Sequence, residues 1–219
     1  MQPIIIYGSG GFARELAWLI EECTTSGQNV YRVVCFVDDD PQKQGTYPND
    51  IPVLSLVDAF QQYPRAQIVG GIGSPQTREK TMHKAQAMGF VPASFIHPNV
   101  VYSARWTTFG PGTVICAGNI LTVNITLGQH VHLNLDCTIG HDVILDDYVT
   151  LAPGAHVSGW VHLGKRVYVG TGATFINGTD DNPLTVADDV VIGAGACVTK
   201  PIHQSGVTVV GVPAKVLSR

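Results

Sequence analysis

From Phe109 to Phe175 every sixth residue is large and apolar, twelve positions without interruption: Phe109, Ile115, Leu121, Leu127, Leu133, Ile139, Leu145, Leu151, Val157, Leu163, Val169 and Phe175. A six-residue period fits neither a lone α-helix nor a flat sheet, but it does fit a chain wound into stacked coils that share one core. A second rail trails the first by four residues, running from Thr113 through Asn119, Ile125, Val131, Cys137, Val143, Val149, Ala155, Val161 and Val167 to Ala173. The two rails lie two residues apart, so both point inward from short strands. Gly110, Gly128, Gly140, Gly164 and Gly170 each directly follow a rail residue and mark the bends. The pattern predicts a parallel β-helix of hexapeptide repeats, in which residues eighteen apart are neighbours on successive coils about 4.8 Å apart.

Past Phe175 the rail breaks at Asn177-Gly178-Thr179-Asp180-Asp181-Asn182-Pro183 and resumes at Val186, Ile192 and Val198. The step from 175 to 186 is eleven residues rather than twelve, which predicts a loop protruding from one coil without disturbing the stack. The tail from Val209 to Leu217 is expected to leave the stack and cap or pack against it.

The first ninety residues have a different rhythm. An apolar strand at 3–7 runs into Gly8-Ser9-Gly10-Gly11, followed by a helical pattern carrying Leu16, Leu19 and Ile20 and a second strand at 31–37. Two more apolar runs, at 51–54 and 68–72, and a helix over 75–88 complete a small parallel α/β sheet. The expected domains are therefore 1–93, α/β, and 94–219, the β-helix with its tail, joined around Ala93-Ser94-Phe95-Ile96-His97-Pro98. Gly8-Ser9-Gly10-Gly11-Phe12-Ala13 fits the G-x-G-x-x-G/A pattern, whose glycines let backbone N–H groups approach a phosphate at a helix N-terminus. A bare connecting turn has the same sequence requirements. A dehydrogenase needs two mononucleotide halves, and the β-helix begins where the second would lie. One half-site implies one nucleotide, with Asp38 or Asp39 able to accept from a base or ribose, or simply forming a solvated turn.

Composition narrows the partners. Thirteen Lys and Arg against seventeen Asp and Glu give a formal charge of −4, without the concentrated basic face that nucleic acid demands. No stretch is apolar for long enough to span a bilayer, and the apolar opening lacks a basic leader segment. The five cysteines lack metal-like spacing and read as reduced packing residues of a cytoplasmic protein.

Among eight histidines, His141 stands out because it follows Ile139-Gly140 at a coil corner, and one coil onward lies Gly159. An imidazole beside a glycine N–H suits acyl transfer: the ring takes a proton from an attacking amine or hydroxyl, and the amide polarises the acyl carbonyl. Asp142 could orient that ring; spacing alone equally allows a plain corner residue. A zinc site needs three converging histidines. His156 and His162 are expected on different faces, and His130 and His132 have no coil-spaced partner, so no metal is expected.

The segments Ile6-Tyr7-Gly8-Ser9-Gly10-Gly11, Phe36-Val37-Asp38-Asp39-Asp40, Ile51-Pro52-Val53-Leu54, Ala93-Ser94-Phe95-Ile96-His97-Pro98, Gly140-His141-Asp142, Leu151-Ala152-Pro153-Gly154-Ala155 and Val210-Gly211-Val212-Pro213-Ala214-Lys215 occur in this order. In them the chain resembles, nearly end to end, the bacterial acetyl-CoA-dependent acetyltransferases of nucleotide-linked amino sugars, grouped with the sialic acid O-acetyltransferases. The resemblance implies a left-handed β-helix, a homotrimer with sites between subunits, and an N-terminal lobe holding the nucleotide. It implies His141 as general base, Asp142 as its supporting acid, Gly159 as the amide near the acetyl carbonyl and Asn134 close to the sugar. It also implies that Thr150, Thr171 and Ala194 line the acetyl-CoA channel, and that Gly10, Gly11, Phe12, Asp38, Asp39 and Gly73 contact the nucleotide sugar. Two positions depart from the family: Phe12 stands where His is usual, and Asp142 where Glu is often found.

The expected activity is N-acetylation of a UDP- or dTDP-linked 4-amino-4,6-dideoxy sugar for surface glycan synthesis, by direct attack on acetyl-CoA. The alternatives are O-acetylation of sialic acid or a related sugar, a zinc lyase of carbonic anhydrase type on the same scaffold, and a nucleotide-sugar-binding protein without activity.

Overall fold

The computed structural model describes residues 1–25, 27 and 31–217. The chain divides into two compact units, Met1–Pro98 and Asn99–Arg219.

The first unit is built on a parallel sheet. Its elements run β1 (Gln2–Tyr7), α1 (Gly11–Thr25), β2 (Tyr31–Val37), β3 (Val53–Leu54), α2 (Leu56–Gln62), β4 (Gln67–Gly70), α3 (Pro75–Ala87) and β5 (Val91–Pro92). The sheet order is β3-β2-β1-β4-β5, with every pair parallel. β1 is central and covered on both faces, so Ile4, Ile5 and Ile6 are fully buried, and an unbroken apolar run replaces alternation. The chain leaves β1 towards β2 and later returns on its other side as β4, so a topological switch point lies beside the C-terminal end of β1. α2 was not anticipated. Its N-cap is Ser55, whose Oγ accepts from the Asp58 N–H, a start signal visible in the sequence before a helix too short to show periodicity.

The second unit is a three-sided left-handed parallel β-helix. One face stacks Thr107–Phe109, Ile125–Leu127, Ile144–Leu145, Val161–Leu163 and Leu184–Val186; a second carries Ile120–Leu121, Thr138–Ile139, His156–Val157, Thr174–Phe175 and Cys197–Val198. The third runs from Val114–Ile115 to Thr208–Val210. Pairings such as Leu127 with Leu145 and Ile139 with Val157 hold the eighteen-residue register. Leu133, Leu145, Leu151, Leu163 and Val169 are fully buried on the shared axis.

Three details refine the repeat. Phe109, the first rail residue, is 37% exposed, because its strand has a paired coil on one side only within this unit. Leu163 pairs with Val186, twenty-three residues on, so the interruption is a single side of a coil enlarged by five residues rather than two sides shortened by one. The tail adds a rung before it leaves: Thr208–Val210 pairs parallel to Val191–Ile192, then Lys215–Val216 folds back antiparallel on it. Among the described residues, no helix is long and apolar enough to cross a membrane.

Rail positions that look equivalent in sequence therefore differ in burial. Leu151→Ala is expected to cost about 2–5 kcal/mol in urea denaturation, as for other buried Leu truncations. Phe109→Ala, despite removing a larger side chain, is expected to cost less than Leu151→Ala; the reverse order would contradict the placement of the core.

Candidate active site

Three loops meet at the carboxyl ends of β1, β2 and β4, which is where ligands sit in open α/β sheets. They enclose a cavity of about 360 Å³ lined by Gly10, Gly11, Phe12, Asp38, Asp39 and Gly73, together with Lys43 and Thr77. All six residues that the family resemblance assigns to nucleotide-sugar contacts thus line one cavity.

The glycines there differ in what they do. A Cβ on Gly71 would lie 2.5 Å from Ile6 Cγ2 and 2.8 Å from Ala13 Cβ, so glycine is needed for α1 to close on the sheet. At Gly10, Gly11 and Gly73 a Cβ would meet nothing within 4 Å, and none has a positive φ. Packing does not demand glycine at these positions. Their bare backbone instead leaves room beside the start of α1, whose N–H groups attract anions. Arg78 is fully buried below and donates to the Ile72 carbonyl at 2.8 Å, fixing the loop that carries Gly73.

The acidic turn is internally braced. Asp38 accepts from Ser9 Oγ at 2.6 Å and from Lys43 Nζ at 3.2 Å, while Asp39 accepts from Tyr7 Oη at 2.7 Å and from Lys84 Nζ at 2.6 Å. Burial pushes both carboxyls up, but the hydrogen bonds outweigh it: Ser9, the Asp40 N–H and Lys43 act on Asp38, and Lys84 and Tyr7 on Asp39, so both stay below the usual carboxylate range. Asp39 is the more open, with its side chain 48% exposed against 14% for Asp38.

In the β-helix, a second cavity of about 380 Å³ is lined by His141, Gly140, Gly159, His156, Thr138 and Asn177, among others. The eighteen-residue register stacks His141 against Gly159, and the Trp160 N–H donates to the His141 carbonyl at 3.1 Å. A Cβ on Gly159 would lie 2.5 Å from His141 Nε2, so the imidazole occupies the space a side chain there would need. His141 Nδ1 is 2.9 Å from Asp142 Oδ2. Adjacent side chains usually diverge, but Asp142 has φ +57°, a left-handed corner conformation that turns its carboxylate back towards the ring. Asn124, one coil earlier, donates Nδ2 to Asp142 Oδ1 at 2.9 Å. The hydrogen bonds from Asn124 and then His141 hold the Asp142 carboxyl below the usual range, and an ionised carboxylate only accepts. Nδ1 therefore carries a proton, and in the neutral form of the ring the lone pair is on Nε2.

The other assigned residues lie apart from this cavity within one chain. Asn134 is not among its lining residues and donates Nδ2 to the Leu151 carbonyl at 3.0 Å. Thr150 is 1% exposed within its sheet, paired with His132 and Tyr168. Thr171 and Ala194 are exposed at a different corner, in successive coils linked by the Gly195 N–H to the Thr171 carbonyl at 2.9 Å. Among the described residues there is no group of three His, Cys, Asp or Glu side chains placed to hold a metal ion. His156 and His162 sit on different faces, and the His130 ring stacks on Tyr148 with centroids 4.9 Å apart. The sequence reading missed Asn124 and Asn177; each lies eighteen residues from a residue it had singled out, Asp142 and Gly159.

Residues 3–85 match the PglD N-terminal domain. The chain is 31% identical over 222 residues to GDP-perosamine N-acetyltransferase of Escherichia coli O157:H7, covering 98% of this chain and 96% of that one. Among solved structures it is similar to the acetyltransferase domain of PglB from Neisseria gonorrhoeae FA1090 in complex with acetyl coenzyme A, at 30% identity and TM-score 0.84 over 99% of each chain. It is also similar to PerB from Caulobacter crescentus in complex with CoA and GDP-perosamine, at 27% identity and TM-score 0.84, covering 100% of this chain and 98% of that one. With identity running nearly the full length of both sequences, the chain belongs to the PglD-like acetyltransferase family of hexapeptide-repeat acyltransferases, and is a sugar N-acetyltransferase.

Proposed function

We propose that the protein transfers the acetyl group of acetyl-CoA to the amine of a nucleotide-linked 4-amino-4,6-dideoxy sugar, in the cytoplasm, as a step of surface glycan synthesis. The observation that carries this reading is the His141–Asp142–Asn124 chain set against the Gly159 amide in one cavity. The amine attacks the thioester carbonyl directly, and His141 Nε2 takes its proton as the C–N bond forms. Asp142 stabilises the imidazolium that results, and the Gly159 N–H faces the oxyanion. Collapse of the intermediate breaks the C–S bond, and the CoA thiolate leaves with the proton that the imidazolium returns. No acyl-enzyme forms, so no cysteine or serine acts as nucleophile.

The cavity of the first unit is read as the nucleotide site, with phosphates over Gly10 and Gly11 and the ribose or base near Asp39. Phe12 offers an apolar ring where the family usually has His, which removes one polar contact with the sugar donor. The named relatives add GDP to UDP and dTDP as a candidate nucleotide. Asn134, Thr171 and Ala194 keep their assignments to the sugar and to acetyl-CoA as part of this proposal, which requires a neighbouring subunit to complete the channel; Thr150 does not keep its place on the channel wall, because it is 1% exposed in the single chain and a neighbour can only cover it further. Apolar residues left open on the β-helix support a homotrimer: Ile120, Val123, Ile144 and Ile176 are each more than two-fifths exposed.

Two measurements test this reading. Thiol release from acetyl-CoA is expected with at least one GDP-, UDP- or dTDP-linked 4-amino sugar, and His141→Asn is expected to lower kcat by about 10²- to 10⁴-fold with an unchanged melting temperature. Silence across all the amines with turnover of a hydroxyl acceptor would move the reading to O-acetylation. Sedimentation equilibrium is expected to return three times the chain mass; a monomer at working concentration would contradict the shared site.

A further inference from the structure

The Gly159 N–H is not open in this structure: it donates to Asn177 Oδ1 at 3.0 Å, and Asn177 lines the same cavity as His141. That oxygen therefore lies at the distance from the amide at which an oxyanion is stabilised. The contact follows from the coil. Asn177 stands eighteen residues after Gly159 at the same corner, and the Gly178 N–H to the Gly159 carbonyl, 3.0 Å, keeps the register through it. The enlarged side begins immediately afterwards, pinned at its neck by mutual bonds between Thr179 and Asn182, and the ladder resumes with the Leu184 N–H on the Trp160 carbonyl.

Other corner amides are closed in the same way. Asp147 Oδ1 accepts from the Gln129 N–H and Asp188 Oδ1 from the Lys165 N–H, each from the following coil as Asn177 does. These are the corner N–H groups that the coil-to-coil backbone ladder leaves to side chains. An amide held by backbone is unavailable to a substrate, whereas one held by a side chain is released by a single rotamer change. At the next corner along, the closing residues Asp147 and Asp188 are carboxylates, which bind an N–H about twice as strongly as a neutral amide does. At Gly159 the closing group is the neutral carboxamide of an exposed Asn.

We infer that Asn177 is a displaceable occupant of the oxyanion position: its side-chain carbonyl holds the Gly159 amide in the empty enzyme and yields it to the thioester carbonyl of acetyl-CoA. This makes Asn177 a positioning residue that lowers the preference for acetyl-CoA over CoA, since only acetyl-CoA carries a thioester carbonyl that must displace it. The inference rests on the proposed role of Gly159.

The test is calorimetric titration of the full-length protein with acetyl-CoA and, separately, with CoA. Asn177→Ala removes the competitor and is expected to raise the preference for acetyl-CoA over CoA about three- to tenfold, within the range of one neutral hydrogen bond. Asn177→Asp keeps the acceptor and charges it, and is expected to lower that preference by a similar factor. A purely structural corner bond would leave the ratio unchanged in both variants while shifting melting temperature, and that result overturns the inference. Ratios moving in the same direction in both variants overturn it as well. Wild-type protein that binds neither ligand would overturn the acetyltransferase reading itself, a failure distinguishable from an unchanged ratio on a working enzyme.

Discussion

Backbone hydrogen bonds between successive coils, locked to an eighteen-residue register, are the constraint on which the β-helix and its candidate site depend. Each inward strand residue pairs with its counterpart one coil on, as Ile139 does with Val157 and Leu133 with Leu151. The ladder satisfies the strands but not every corner, because the chain must turn there through left-handed residues such as Asp142. The corners consequently hold both the N–H groups left without backbone partners and the side chains forced outward. Chemistry accumulates at corners because the stack cannot use those groups for itself. His141, Gly159 and Asn177 form one such column.

The same register explains how His141 is oriented. Its partner Asp142 is adjacent in sequence, but the support behind Asp142 comes from Asn124 on the preceding coil. Removing either contact changes the carboxylate, and through it the ring, without touching the core. The cavity of the first unit, the proposed nucleotide site, works by a different rule, the reversal of strand order beside β1, and Gly10, Gly11 and Gly73 keep backbone accessible there although neither packing nor φ calls for glycine.

Much of this was legible in the sequence, and the limits have physical causes. The β-helix was readable because every buried residue repeats at a fixed interval, so its core needs no long-range information. Its ends were not: Phe109 obeys the pattern yet is partly exposed, because the rail records which way a side chain points rather than what covers it. The enlarged coil was located correctly, but eleven residues fit either two short sides or one long one, and only the pairing of Leu163 with Val186 decides between them. In the first unit, β1, α1, β2 and α3 were visible as apolar runs and periodicity. α2 is too short to show a period, and strand order is a tertiary property. Asn124 and Asn177 are polar residues with no motif of their own, and they become visible only when the eighteen-residue ruler is laid off from Asp142 and Gly159.

The central claim is that one corner column, set by coil register, forms the acyl-transfer centre. A crystal structure with a non-transferable acetyl-CoA analogue and a nucleotide-linked 4-amino sugar tests it most directly. The account predicts the acyl oxygen about 3 Å from the Gly159 nitrogen, with Asn177 turned away, and the sugar amine within about 3.2 Å of His141 Nε2. An acyl group bound elsewhere, with the Gly159 N–H still donating to Asn177, would contradict it.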